Sequence, residues 1–437
     1  MYLDIEKSER DRIVITGVGP LCSLGSGTKQ VWESIDKGKQ NLVKHKHTID
    51  DMELGQFYLH KIENFNLDDY ALPKGNYVYV NSLRGFRDPD VDLHYFLAAV
   101  KLALEDSGYD YDLKENKVGL VLAHENPGME SLFEDITKSA YEIFKKSKQN
   151  DKLDFIHELY DDCEESGYSL QTFTYLYSVA KVFDLHGYSL FINNACASGL
   201  FAIEAAARNI RSGLNTATVV AAIDSPLKIY KYMWFKKLGL YNDEDGKMKP
   251  FSKKANGVVF GDGGAALILE TLESAKKRGA TIYAEYLGGG FCLEGWKITV
   301  PDITSNYYEK AFEEAIYRSG IKANSIDLVN PHGVGLKVTD LYETRTIQRV
   351  LSQRSAMVSA FKPLVGHNLG GSALLETVIG LLAMQHQTVP ATLNCEDVID
   401  GCDLNIIKNN KKAKIETFAK MAIGFAGYNA VGIFRKV

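Results

Sequence analysis

Cys196 is the clearest candidate for a chemically reactive residue in this chain. It lies between Asn193 and Gly199, after an apolar run at 188–192 and before an alanine-rich segment. This order predicts a strand, a tight turn and a helix whose N-terminus holds the thiol. Because the helix dipole and the unpaired N–H groups favour an anion there, we expect the thiol to ionise readily. Cys196 is therefore a candidate nucleophile for acyl transfer.

Two histidines much later in the chain can complete a Cys/His arrangement. His332 and His367 lie among glycines, where the backbone can approach a ligand closely. A lone cysteine or histidine is more typical of a buried structural residue, but the turn at Cys196 and the two histidines together favour acyl chemistry. The histidines do not have ligand spacing within one element, so we expect no metal site.

Length and composition limit the class of protein. The chain has 437 residues, of which 45% are apolar and 24% charged, as in an ordinary globular enzyme. The net charge of -6 gives no reason to expect nucleic-acid binding. The sequence contains no apolar run of about 18 residues, and its charged start does not resemble a signal peptide, so we expect no membrane association. The six cysteines have no short paired spacings, which favours the cytoplasm over a disulfide framework.

The elements that must position these residues alternate between strands and helices. We predict strands at 12–19, 117–123, 188–193, 217–223, 265–269, 281–290, 326–330, 356–360, 418–423 and 430–435. We predict helices at 28–38, 94–107, 196–212, 304–319, 338–351 and 369–386. The alternation predicts an α/β fold with mainly parallel sheets.

The chain divides into two halves of similar rhythm, at 1–260 and 261–437. Two insertions interrupt the first half, an irregular one at about 45–90 and a helix-prone one at about 129–185. The helix after Cys196 is apolar almost all round, which predicts a central helix layer between two sheets.

Four motifs, in order and spacing, resemble those of the β-ketoacyl synthases, the condensing enzymes of fatty-acid and polyketide assembly. They are Ala195-Cys196-Ala197-Ser198-Gly199, Pro331-His332-Gly333, Lys362 followed by Gly366-His367, and Gly424-Phe425-Ala426-Gly427. The resemblance runs from Arg12 to the C-terminus and is closest to the stand-alone (type II) kind. It implies a thiolase-like, five-layered αβαβα sandwich of two similar halves. It also implies a homodimer, or a heterodimer with a ketosynthase-like subunit.

The resemblance implies a decarboxylative Claisen condensation at these residues. Cys196 would carry the acyl group, while His332 and His367 would face a malonyl-type thioester. Donors aimed at the thioester oxygen stabilise the enolate left by loss of carbon dioxide. The resemblance does not determine which imidazole polarises the thioester carbonyl and which assists decarboxylation. The substrates would arrive on the phosphopantetheine of an acyl carrier protein, with no further cofactor.

Further residues have supporting roles by the same resemblance. Lys362 and Glu343 would form an ion pair that orients the histidines, and Asp340 would join Glu343 as an acidic pair. The backbone N–H groups of Cys196 and Phe425 would form the oxyanion hole. The Phe425 ring is either a gate of the acyl pocket or core filling.

A basic patch could attract the acidic carrier protein. Lys231, Lys236 and Lys237 are the first candidates, and Arg84 and Arg87 are weaker ones. Solvated lysines on a helix face are an equally good interpretation.

Several positions depart from the family pattern. Val334 and Leu336 replace two threonines that contact pantetheine, Tyr428 replaces a third, and Ala426 replaces a glycine. The stretch 250–257 also lacks the usual acidic and arginine residues. Each lost polar contact is worth about 1 kcal/mol. We expect a divergent synthase of specialised metabolism with altered contacts to pantetheine.

Two other functions remain open for such a chain. One is a non-condensing, chain-length-determining partner in a ketosynthase heterodimer, although such subunits usually lack the cysteine. The other is an acyltransferase that uses the same cysteine without malonyl chemistry. The presence of Cys196 speaks against the first, and the pair of histidines speaks against the second.

Overall fold

The computed structural model describes residues 8–49, 52–73, 75–78, 91–110, 117–146, 170–227, 229–351 and 356–437. Arg84 and Arg87 lie outside the described residues, as does the middle of the helix-prone insertion. In the described parts no helix combines the length and apolar character needed to cross a membrane.

Strands and helices alternate through both halves, as the sequence predicts. The strands of the first half are β1 (Ile13–Cys22), β2 (Gly25–Ser26), β3 (Leu42–Ile49), β4 (Met52–His60), β5 (Val118–Ala123), β6 (Leu190–Ile192), β7 (Ala217–Asp224), β8 (Phe260–Gly261) and β9 (Gly263–Thr271). Its helices are α1 (Gly27–Asp36), α2 (Val91–Ser107), α3 (Met129–Lys146), α4 (Thr172–Phe183), α5 (Ser198–Arg211), α6 (Ile229–Lys237) and α7 (Leu272–Lys277).

The first half is counted here beyond the predicted boundary at residue 260, because β9 pairs with β1 and β7. The second half repeats the alternation. Its strands are β10 (Ala284–Leu293), β11 (Leu328–Asn330), β12 (Met357–Val358), β13 (Thr388–Val389), β14 (Asn405–Ile406), β15 (Lys411–Lys412), β16 (Thr417–Gly424) and β17 (Tyr428–Arg435). Its helices are α8 (Tyr307–Ser319), α9 (Lys337–Leu351), α10 (Lys362–Val365) and α11 (Ser372–His386).

The two halves have the same strand order. The main sheet runs β14-β12-β11-β16-β17-β10-β1-β9-β7-β5-β6, and β1 pairs with β10 at its middle. Read outwards from that pair, the first half runs β1-β9-β7-β5-β6 and the second runs β10-β17-β16-β11-β12, so the two orders correspond strand by strand, and β14 extends the second half by one further strand. Among the strands that correspond, each half has two parallel and two antiparallel pairs. The second half has a further parallel pair, β12 with β14, and the first a further antiparallel pair, β1 with β2. The halves are therefore similar, and the expectation of mainly parallel sheets is corrected to mixed sheets.

Helices cover both outer faces of the sheet and fill the space between its halves. α2 and α4 pack on one outer face, and α8 and α9 pack on the other. α5 and α11 share one core with strands of both halves. This arrangement is the predicted five-layered αβαβα sandwich. Its central layer starts at the two turns that carry Cys196 and His367.

α5 and α11 approach each other closely at Gly199. A Cβ atom on Gly199 would lie 2.5 Å from the backbone nitrogen of Leu374. Only glycine fits at this crossing, because a larger residue would force the two helices apart. The glycine therefore helps to bring the starts of the two central helices together.

Residues 42–60 form a hairpin where the sequence predicted an irregular excursion. β3 pairs antiparallel with β4, and β4 pairs parallel with β8. Lys44 and Lys46 point outwards, while His45 and His47 alternate with them on the less exposed side. The prediction was wrong here because polar histidines occupy the inward positions and hide the period of two.

Candidate active site

Cys196 lies in a tight turn between β6 and α5. Ala195 has a φ of 50°, in the left-handed region that residues with a Cβ rarely adopt. The Ser198 hydroxyl accepts the N–H of Asn194 at 2.8 Å and donates to the carbonyl of Ala195 at 2.6 Å. The strand, turn and helix predicted around the thiol are confirmed, and Ser198 holds the turn together.

The resting state of Cys196 differs from the expected thiolate. The side chain is buried, and burial raises the pKa of the Cys196 thiol well above its ordinary value. The carboxyl group of Glu125 raises this pKa further. The dipole of α5 acts in the opposite direction, because it favours a thiolate once one forms. Cys196 therefore rests as a thiol and needs a group that accepts its proton.

The backbone of His367 is fixed by hydrogen bonds to Gly261 in β8 and to Val259, the residue before β8. Its N–H donates to the carbonyl of Val259 at 2.8 Å, and its carbonyl accepts the N–H of Gly261 at 3.0 Å. Its Nδ1 lies 2.9 Å from Oγ of Ser372, the first residue of α11. With Nδ1 engaged in this way, Nε2 is the ring nitrogen left for a ligand.

His332 is held through its backbone rather than its ring. Its N–H donates to one carboxylate oxygen of Glu343 at 2.6 Å, and the N–H of Gly333 donates to the other at 2.7 Å. Lys362 Nζ donates to the carbonyl of His332 at 2.7 Å. The rings of His332 and His367 lie nearly perpendicular, with centroids 5.4 Å apart. The fold thus brings together two imidazoles that are 35 residues apart in the chain.

Both imidazoles are neutral near pH 7. Burial lowers the pKa of His332 and of His367 well below the ordinary value, and the charge of Lys362 lowers both further. A neutral imidazole keeps one N–H group, which can donate to a thioester oxygen as negative charge develops there.

Lys362 pairs with Glu376 and not with Glu343. Lys362 Nζ lies 2.5 Å from Oε1 of Glu376, and Lys420 Nζ binds the other oxygen of the same carboxylate. All three side chains are buried. The predicted Lys362–Glu343 ion pair is wrong because Glu343 instead binds the backbone of the His332 turn.

Glu376 and Lys420 were missed in the sequence. Glu376 interrupts an otherwise apolar stretch of α11, and a lone charge in a buried helix was the available signal. Lys420 lies in the buried strand β16, where burial lowers its pKa to about 8. Its Nζ also donates to the carbonyl of Pro331 at 3.2 Å, so it braces the His332 turn from a second side.

Asp340 ties two loops together at the base of the site. Its carboxylate accepts the N–H of Phe251 at 2.8 Å and that of Gly335 at 3.3 Å. These bonds fix the chain directly after His332 and connect it to the segment around 250. Through these two bonds Asp340 positions the backbone of the loops and not the imidazole rings.

A single pocket is lined by Cys196, His332, His367 and Phe425. The Phe425 ring stacks on Phe235 with centroids 5.6 Å apart. The remaining lining is mainly apolar: Leu240, Val258, Ile298, Val300, Pro301, Val334, Leu336 and Ile423, with Thr299 and Thr339 as hydroxyl groups. Val334 and Leu336, two of the departures from the family pattern, thus belong to the wall of this pocket.

The three candidate lysines of the carrier patch separate in the structure. Lys236 and Lys237 are exposed in the last turn of α6, and Lys236 Nζ lies 2.7 Å from a carboxylate oxygen of Asp243. Lys231 is only 2% exposed and pairs with Asp224 at 2.8 Å. The prediction for Lys231 was wrong, since a buried, paired lysine cannot belong to a surface patch.

Glu125 is a further site residue that the sequence analysis missed. The Cys196 thiol donates to Oε1 of Glu125 at 3.4 Å. Glu125 follows β5, and the nucleophile turn follows β6, the parallel neighbour of β5. Carboxyl ends of parallel strands meet at one edge of a sheet, so the predicted strands place both residues at the same edge, but they do not indicate the contact itself.

Family comparisons agree with this site and fold. The profile of the β-ketoacyl synthase N-terminal domain matches residues 10–275, and that of the C-terminal domain matches residues 283–396. These matches cover most of the chain, and the chain belongs to the β-ketoacyl synthase family. It is a condensing enzyme of the acyltransferase class.

Individual relatives span nearly the whole chain. A 3-oxoacyl-[acyl-carrier-protein] synthase 2 from Coxiella burnetii is 29% identical over 98% of this chain and 99% of the relative. The enzyme of the same name from Vibrio harveyi is 27% identical over the same shares. The ishigamide ketosynthase/chain length factor has a TM-score of 0.83 at 22% identity, covering 98% of this chain and 99% of that one. A type II PKS acyl-carrier protein complex with its ketosynthase has a TM-score of 0.77 at 25% identity, over the same shares.

Proposed function

We propose that Cys196 takes an acyl group from a carrier thioester, and that a malonyl-type thioester then binds against His332 and His367. The observation that carries this proposal is the single pocket lined by the sulfur and both imidazoles. The sulfur attacks the acyl carbonyl, and the carrier thiol leaves. The backbone N–H groups of Cys196 and Phe425 stabilise the oxyanion of this step.

The condensation uses the neutral state of both histidines. Loss of carbon dioxide from the malonyl group leaves an enolate, whose oxygen accepts N–H bonds from the imidazoles. The α-carbon then attacks the acyl carbonyl on Cys196, the new carbon–carbon bond forms, and the sulfur of Cys196 leaves. Lys362 and Lys420 add positive charge behind the His332 turn, which favours the developing anion.

The acyl groups arrive on the phosphopantetheine of an acyl carrier protein, as the names of the relatives indicate for those enzymes. The mainly apolar pocket lets an arm pass with few hydrogen bonds to the wall. Lys236 and Lys237 attract the acidic carrier to the surface outside the pocket. A nucleophilic thiol must stay reduced, which suits the cytoplasm.

Labelled substrates test this function directly. The purified chain is incubated with acyl-carrier and ¹⁴C-malonyl-carrier thioesters, and acyl-Cys196 and labelled carbon dioxide are measured. Acylation followed by formation of the 3-oxoacyl product supports the proposal. Absence of acylation would point to a non-condensing partner subunit, and acylation without decarboxylation would point to an acyltransferase.

Replacing either histidine should separate the two half-reactions. We expect His332→Ala and His367→Ala to keep acylation of Cys196 but to slow release of carbon dioxide by about 100- to 1000-fold, the usual cost of a lost oxyanion donor. Rapid quench with mass spectrometry measures the first step, and trapped ¹⁴C-carbon dioxide measures the second. Equal losses in both steps would contradict the assignment of the histidines to malonyl chemistry.

We also expect a dimer that pairs along β6. This strand ends the sheet order, and its residues are only partly buried in the single chain. An edge strand of this kind is completed by a partner strand. Sedimentation at micromolar concentration should give twice the mass of one chain, and Phe191→Pro should shift it toward monomer because proline removes an edge N–H. A monomeric unmodified chain would contradict this expectation.

A further inference from the structure

We propose that Glu125 is a catalytic base that takes the proton of Cys196 during acylation and returns it during condensation. This inference rests on the proposed role of Cys196 as the nucleophile. Glu125 contacts the reacting atom itself, because the Cys196 thiol donates to its Oε1 at 3.4 Å. Cys196 lines the pocket and Glu125 is not among the lining residues.

The Glu125 carboxylate has no other partner among the residues that the structure describes. The bond from the Cys196 thiol is its one side-chain hydrogen bond there, and no lysine or arginine lies within ion-pair distance of it. Its backbone is fixed, since its N–H donates to Asp224 Oδ2 at 3.1 Å and its carbonyl accepts a bond from the Asn193 side chain. A fixed carboxylate aimed at a thiol and paired with nothing else is available as a proton acceptor.

Nearby charges leave Glu125 without a counterion. The titratable groups around it are Cys196, Asp224 on β7, Lys231 and Tyr230 on α6, and His124 directly after β5. Asp224 binds Lys231 at 2.8 Å, while Nε2 of His124 lies 2.9 Å from a carboxylate oxygen of Asp92 and 3.5 Å from one of Asp224. Both potential cations are therefore engaged by other carboxylates. Loss of water and the Asp224 charge raise the pKa of Glu125 to about 7, which suits a base that works near neutral pH.

The acylation step balances with this assignment. The Cys196 proton moves to Oε1 of Glu125 as the sulfur forms its bond to the acyl carbon. The carbon–sulfur bond of the carrier thioester breaks, and the carrier thiolate takes a proton from water. Glu125 stays protonated beside the acyl-enzyme, so no carboxylate charge opposes the anion that later develops at the sulfur.

Condensation returns the same proton. The carbanion attacks the acyl carbonyl, the bond between that carbon and the Cys196 sulfur breaks, and the thiolate leaves. The Glu125 carboxyl group donates its proton to this thiolate, which restores the thiol and the carboxylate. No oxidant, reductant or further reactant is needed in either step.

The pH dependence of acylation tests this proposal. The full chain is mixed with a simple acyl N-acetylcysteamine thioester between pH 5.5 and 9.5, and acyl-Cys196 is measured by mass spectrometry under single-turnover conditions. For the unmodified chain we expect a rate that rises with pH, has its midpoint near 7 and then stays level. Glu125→Gln should be about 100-fold slower at pH 7.5. Its rate should rise only as the thiol ionises, so that the difference narrows above pH 9.

Controls separate a base from a structural carboxyl group. Glu105→Gln, at an exposed glutamate on α2, should keep the rate and the profile of the unmodified chain. Glu125→Ala should regain part of its rate with added formate, while Glu105→Ala should not respond. A uniform loss at every pH in Glu125→Gln, without rescue of Glu125→Ala, would overturn the assignment of the base. If the unmodified chain forms no acyl-Cys196, the assignments of Cys196 as the nucleophile and of Glu125 as its base are both refuted.

Discussion

The Cys196→Ala variant is expected to form no acyl-enzyme and no 3-oxoacyl product. No other thiol lines the pocket with both imidazoles, as far as the described residues extend, so acylation has no substitute nucleophile. We expect a loss of more than about 1000-fold in condensation, as for other enzymes that lose a covalent nucleophile. Intact-mass spectrometry after incubation with acyl-carrier thioester measures the loss directly.

The same variant should retain part of its malonyl chemistry. Because His332 and His367 keep their supports, malonyl-carrier should still lose carbon dioxide, and the carbanion should take a proton from solvent to give acetyl-carrier. This residual activity distinguishes a missing sulfur from a misfolded chain. Cys402→Ala, at a partly buried thiol away from the pocket, should behave like the unmodified chain. Acyl labelling that persists in Cys196→Ala would refute the nucleophile assignment.

The Glu376→Gln variant is expected to lose about 3–5 kcal/mol of stability. The carboxylate is the shared counterion of Lys362 and Lys420, and all three groups are buried. Its removal leaves two buried ammonium groups without a negative partner, which costs more than a buried ion pair contributes. Thermal unfolding followed by circular dichroism should show a clear fall in the apparent melting temperature.

Two comparisons isolate the charge effect from the change of shape. Glu416→Gln removes an exposed partner of Lys414 and should change stability by less than about 0.5 kcal/mol. Adding Lys420→Met to Glu376→Gln removes one of the unpaired charges and should recover part of the loss. A fall for Glu376→Gln no larger than that for Glu416→Gln would show that the buried network contributes little.

In the mechanism proposed above, the two charge networks act on opposite partners of the condensation. Glu376, Lys362 and Lys420 support the His332 turn, and their positive potential favours the malonyl-derived anion in that mechanism. Glu125 contacts the sulfur and is the proposed proton acceptor. Separation of these networks lets a single pocket hold a neutral thiol and two neutral imidazoles until substrate arrives.

Local sequence patterns were sufficient for the parts of the site built within one turn. The glycines and small residues around Cys196, and the glycines around His332 and His367, indicated sharp turns, and the strand–turn–helix at Cys196 is confirmed. The partners of these turns were harder to predict. Glu343 was correctly placed near His332 but as a partner of Lys362, because spacing does not tell whether a carboxylate binds a side chain or a backbone N–H.

By itself, the sequence determined the alternation of strands and helices, the three candidate residues that share the pocket and the family to which the chain belongs, because these depend on residue types and on spacings within single elements. Only the tertiary structure decided that Glu376 pairs with two lysines, that Lys231 is buried against Asp224 and that Glu125 contacts the sulfur of Cys196. Each of these contacts joins elements far apart in the chain. Their distances depend on how sheets and central helices pack, and no local pattern encodes that packing.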